Sequence, residues 1–172
     1  MTHPVNEGIT AARRSAVHLE MRDAYAEDEE FARWRSGHRY EGDPARLPQW
    51  WWPWHETVTG ATARGVVMRR ARIVSEPVSD YIGYEHDMTF ANTAAGELVR
   101  WLPRRRAADI ALPGTDFWLF DGGRLLLTYF SGDGRAVDRE WCTDPATVAL
   151  AASAFEVVWE RAVPHEEYKP VR

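Results

Sequence analysis

Apolar positions change their rhythm along this chain, and the rhythm assigns most of its elements. Near the C-terminus Val148, Ala151, Phe155, Val158, Trp159 and Ala162 recur at three- and four-residue spacing. That is one stripe of a helix, with Asp144 as its cap and Pro145 as its first residue. Before it, "TDFWLFDGGRLLLTYFSGDGRAVDREW" breaks into short apolar runs at Gly122-Gly123 and at Gly132-Asp133-Gly134. Hairpin turns at those glycines predict three antiparallel strands. Val66 to Val74 reads as a strand, Ser79 or Asp80 caps a helix running to about Met88, "ANTAAG" adds a further turn, and "ELVRWLP" is a strand ended by Pro103. A helix crossing between two strands makes them parallel. Upstream the pattern is helical. Ile9 to about Ala26 predicts one helix, "EEFARWRSG" a second closed by Gly37, and Pro53 opens a third that Gly65 ends, with a loop from His38 to Leu47. The sum is an α/β (α+β) domain whose mixed sheet combines a parallel strand-helix-strand unit with an antiparallel meander, flanked by helices.

With 172 residues and 45% hydrophobic content the chain suits one domain,. It divides into a helical part at about 9–64, a mixed-sheet core at about 65–142 and a C-terminal helix at about 145–163. No stretch approaches 18 consecutive apolar residues and the start shows no leader pattern, so the expected location is the cytoplasm,. The net charge of −5 argues against coating nucleic acid directly,. Cys142 is the only cysteine and the six histidines show neither HxH nor HExxH spacing, so no disulfide, metal or cofactor is expected,. GxSxG, P-loop and GxGxxG patterns are missing, and no residue is assigned a catalytic role,. Charge is segregated: Glu20 to Glu30 is acidic, whereas Arg64 to Arg106 is rich in arginine.

Two groups of residues are candidates for function. On the strand "VVMRRARIV", Arg70 and Arg72 share a parity and leave one sheet face, while Arg69 leaves the other,. Glu76, Asp80, Tyr81 and Glu85 follow closely, so the arginines either pair with these carboxylates in an internal network or form a pocket for an anionic small molecule. The second group is a contact surface. It comprises Trp51 and Trp52 from the unusual run "WWWPW", with Arg104, Arg105 and Arg106 from the densest basic cluster. Tryptophan and arginine are the residue types that dominate binding hot spots.

The segments "AVHLEMRDAY", "RRARIVSEPVSDYIGYE", "AGELVRWLPRR" and "DFWLFDGG" resemble, in the same order, an actinomycete family of unknown function whose genes often lie beside helix-turn-helix regulators. The resemblance runs from about Ser15 to Pro170 and implies a regulatory context, with such a regulator as the expected protein partner. More distantly, the order of the core elements is similar to phospholipase D-like domains, in which His-x-Lys precedes an Asp-Gly turn. Here Asp121-Gly122 stands at the turn, but Pro113 to Phe120 holds neither His nor Lys. Without the nucleophile the covalent step of that chemistry is lost. The expectation is therefore a non-catalytic accessory or sensory protein. A small enzyme or small-molecule binder using the Arg/Glu/Tyr pocket is the alternative, and direct nucleic-acid binding a third.

Overall fold

The structure, a computed structural model, describes residues 3–40 and 42–172, and for residue 50 the backbone alone. In chain order the elements are α1 (Pro4–Ala11), β1 (Ser15–Glu20), α2 (Glu29–Arg35), α3 (Trp52–Ala63), β2 (Val67–Val74), α4 (Asp80–Ala94), β3 (Leu98–Pro103), β4 (Phe117–Phe120), β5 (Arg124–Phe130), β6 (Ala136–Cys142), α5 (Pro145–Arg161) and β7 (Val163–Pro164). Short 3-10 turns cover Pro44–Arg46, Gln49–Trp51 and Arg104–Ala107. The seven strands form one mixed sheet in the order β6-β5-β4-β1-β2-β3-β7. β1, β2 and β3 run parallel, and β4, β5 and β6 make the antiparallel meander.

The stretch expected to be a helix from Ile9 to Ala26 is mostly not one. Its first residues end α1, and Ser15–Glu20 becomes a central strand between β4 and β2. The local residues Ala, Leu, Glu and Arg favour helix, but long-range pairing overrides that preference. The Asp121 carboxylate fixes the change of direction. It accepts the backbone N–H groups of Arg13, Arg14 and Ser15 at 3.0, 2.7 and 3.0 Å, holding the chain extended where β1 begins.

Each sheet face has its own cover. Val17, Leu19, Ala71, Ile73, Phe117 and Leu119 pack on the apolar stripe of α5. On the other face Ala16, Met68, Trp118, Phe120 and Leu126 meet α1 and α3. The contact with α1 requires a glycine: a Cβ on Gly8 would lie 2.3 Å from the Phe120 ring. Further along that face an aromatic cluster of Phe31, Trp34 and Tyr84 joins α2 to α4. The C-terminal segment is strapped to β3 and α4. His165 N donates to Val99 O at 3.0 Å, Val78 N to Val171 O at 2.7 Å, and Tyr168 stacks on Trp101.

Candidate functional site

On the face covered by α1 and α3, β1 and β2 present polar side chains at successive inward positions. His18 lies opposite Arg70, and Glu20 opposite Arg72. Parity does separate the three arginines. Arg69 leaves the opposite face and takes Glu156 of α5. Arg70 donates through Nε to Glu97 at 2.9 Å and through Nη1 to Glu20 at 2.7 Å. Arg72 donates to the other oxygen of Glu20 at 2.5 Å, to Thr89 at 2.8 Å and to Glu85. Asn92 closes the network by donating to Glu97 at 2.6 Å. Burial alone would raise the Glu20 carboxyl, but Arg72 and Arg70 overcome it and hold the group well below the usual carboxylate range. Two guanidiniums thus meet three carboxylates, and the buried cluster is paired from within.

Of the carboxylates expected around these arginines, only Glu85 takes part. Glu76 accepts from the Tyr168 hydroxyl at 2.9 Å, and Asp80 is exposed at the first turn of α4. Tyr81 sits half-buried among Tyr25, Phe31 and Tyr84, where burial and then the Glu85 carboxylate push its hydroxyl far above its ordinary value. Glu20 and Glu97, which do the pairing, were hidden: Glu20 inside an expected helix, Glu97 in a strand start.

The second candidate group is divided. Arg104 binds inward, donating to Met21 O at 2.7 Å, Ile73 O at 3.1 Å, Ser75 Oγ at 3.0 Å and Asp23 at 3.1 Å. It ties together the ends of β1, β2 and β3. Arg105 and Arg106 are exposed. Trp51 packs against the aromatic cluster of α2 and α4, whereas Trp52 is 37% exposed and stands edge-on to His55. The side chain of Trp50 lies outside the described residues.

Over His18 the surface opens into two adjoining hollows of about 300 and 350 Å³, which share Val5, His18, Glu20 and Trp118 as lining. His18 stacks on Trp118 with ring centroids 4.2 Å apart. Its Nδ1 is shielded from solvent, 3.6 Å from Glu20 and without a hydrogen bond among the described residues. Burial pushes the imidazole well below its ordinary pKa; Glu20 opposes this, while Arg70, Arg72 and Arg139 add to it. Arg139, on β6 opposite Thr128, lines the smaller hollow. Its guanidinium is half-buried, its Nε is closed to solvent and has no acceptor among the described residues, and burial lowers its pKa. Asp116, in the same hollow, is bound by Tyr25 OH and Met21 N; burial raises it to about 6 against the pull of those bonds. Neither His18 nor Arg139 was singled out from sequence. The signal for Arg139 was its shared parity with Trp141, which packs inward against Phe120.

Residues 4–170 match the family described as a domain of unknown function, DUF6879. The chain belongs to that family. Among solved structures it is similar to Nuc from Salmonella typhimurium, a phospholipase D family member, at a TM-score of 0.53 and 9% identity over 94% of this chain and 88% of that one. The likeness is one of fold: a mixed sheet flanked by helices. A second similar structure, the archaeal chromatin protein TrmBL2, gives a TM-score of 0.48 at 13% identity. The match covers 92% of this chain but 48% of that protein, about half its length. No curated protein matches the chain. At the turn where the phospholipase D-like pattern carries its aspartate, Asp121 is engaged by three backbone N–H groups, and the preceding β4 reads Phe-Trp-Leu-Phe. Among the described residues no helix is long and apolar enough to cross a membrane, and no cluster of side chains suits a metal.

Proposed function

We propose that this protein is a cytoplasmic, non-catalytic sensory module that takes a small anionic molecule into the cleft over His18. The observation that carries the reading is Arg139. Its half-buried guanidinium lines the smaller hollow without an ion pair among the described residues, and a partly desolvated cation is costly unless an anion meets it,. Arg70 and Arg72 are neutralised by Glu20, Glu85 and Glu97, so they serve as scaffold and leave recognition to Arg139. Burial is the main cause that lowers His3 and His18, Arg139 lowers both further, and an anion placed among the three would offset that second effect. The test is equilibrium binding of small anions to the wild type and to Arg139→Gln. Binding that the substitution abolishes supports the reading, and equal binding by both proteins removes it.

A sensory module also needs a partner to inform, and the one proposed is a regulator of the helix-turn-helix type. Arg105 and Arg106, exposed beside the corner that Arg104 fixes, offer guanidiniums to an acidic protein surface,. Capture with wild type and with Arg105→Ala/Arg106→Ala checks this, since identical partners for both would eliminate the basic corner.

A further inference from the structure

The two hollows that meet at His18 differ in chemistry, and the difference points to the kind of ligand. This step rests on the anion-binding reading above. The smaller hollow holds Arg139, with Thr128 opposite it on the neighbouring strand. The larger is walled by Trp51, Trp54 and Trp118, with Asn6 and Asn92 among its polar groups. Trp54 is half-buried, lines the hollow and stands edge-on to Trp118, with the Arg70 guanidinium 5.8 Å from its ring centre. β6, which carries Arg139, and β4, which carries Trp118, are two strand spacings apart in the sheet, about 10 Å,. A phosphate, a pentose and a base cover that span. The combined volume lies in the range of small-molecule sites,.

We propose that the cleft binds a nucleoside monophosphate, with its phosphate on Arg139 beside His18 and its base against the tryptophan wall. The lining arginine without a partner among the described residues sets the direction in which such a ligand lies. In the larger hollow Arg70 and Arg72 are already bound by Glu20 and Glu85, so it offers no free guanidinium to a phosphate. Its carboxylates can accept hydrogen bonds from the amino edge of a base,. The phosphate is left to Arg139, which shares the smaller hollow with Glu20 and Asp116 and pairs with neither, so its guanidinium donors remain for phosphate oxygens,. Flat rings of any base stack on indole, so the wall selects for a base before it selects which one.

The experiment is calorimetric titration of the intact chain with each of the four ribonucleoside 5′-monophosphates, with ribose 5-phosphate and with the free nucleosides. At least one monophosphate is expected to bind about tenfold tighter than ribose 5-phosphate, the lower range for a base stacked on an aromatic side chain. Arg139→Gln should weaken that monophosphate and ribose 5-phosphate alike, whereas Trp54→Leu should weaken only the monophosphate. If ribose 5-phosphate binds as tightly as all four monophosphates, the nucleotide assignment is overturned and the anion cleft stands. If free nucleosides bind as tightly as their monophosphates, the phosphate end is overturned. Should nothing bind in an Arg139-dependent way, both the assignment and the reading beneath it fall.

Discussion

Glu20 and Arg72 are register partners across the parallel β1–β2 pair, and the Nε of Arg72 meets the Glu20 carboxylate at 2.5 Å in a nearly dry setting. Glu20 gives its other oxygen to Arg70. The acidic and basic segments of the chain, separate in sequence, therefore meet in the interior. Removing the shared charge by Glu20→Gln leaves two buried guanidiniums short of a counter-ion. The expected cost is about 3–5 kcal/mol of unfolding free energy in urea titrations. The paired form of Glu20 contributes stability above its ordinary value of 4.5, and that contribution is lost as pH falls below it,. The wild type should accordingly lose more stability than Glu20→Gln when acidified from that point.

Gly8 allows α1 to approach the sheet. Gly8→Ala puts a methyl group within 2.3–2.9 Å of three atoms of the Phe120 ring. Overpacking of this kind costs about 1–3 kcal/mol, and Phe120→Leu in the same chain should recover part of it. Thermal melts of the single and double variants measure this; an unchanged melting temperature for Gly8→Ala would contradict the close approach.

Arg104, Arg105 and Arg106 look alike in sequence but should behave differently. Arg104→Ala removes donors from two backbone carbonyls, a serine and an aspartate, and is expected to destabilise by about 1–2 kcal/mol,. Arg105→Ala and Arg106→Ala, at exposed positions, should stay within about 0.5 kcal/mol of the wild type,. Chemical denaturation of the three variants distinguishes the tie from its neighbours.

His165 accepts a hydrogen bond from Trp101 Nε1 on its Nδ1 at 3.2 Å. Burial, followed by the nearby His86, lowers its pKa to about 4. The folded state binds the neutral ring, so its contribution is complete above 6.5 and is lost as pH falls through about 4. The C-terminal strap should loosen in that window. Hydrogen-exchange protection of the His165 and Val78 amides is expected to fall between pH 7 and pH 4, and the fall should be smaller in His165→Gln. Equal protection at both pH values in the wild type would refute it.

What sequence could foretell here was what local signals encode. The Asp144 cap with Pro145 marks α5, the glycine turns mark the meander, and Ser79 caps α4 as its spacing implies. The parity of Arg69, Arg70 and Arg72 also carried through to three dimensions. β1 was invisible because everything that makes it a strand is remote. Its neighbours are β2 and β4, and its start is held by Asp121. Without β1, neither Glu20 nor His18 can be placed beside the arginines, and sequence proximity points instead to the carboxylates nearest along the chain. Glu76 and Asp80 are near in sequence but face elsewhere, and only Glu85, one helical turn beyond Tyr81, reaches Arg72. Arg139 was masked by its place on a largely exposed edge strand.

Arg139 is proposed as the arginine that meets a ligand, while Arg70 and Arg72 remain scaffold. Calorimetric titration of sulfate, whose charge is constant over the range used, into wild type and Arg139→Gln at pH 6 and pH 8 tests this directly. Saturable binding by the wild type is expected, tighter at pH 6 because an anion raises the lowered pKa values of His3 and His18 and because Asp116 in the same hollow, raised by burial to about 6, carries less negative charge there,. The same titration should show no binding by Arg139→Gln. Wild-type binding that survives the substitution, or a wild type that binds no sulfate at either pH, would contradict it.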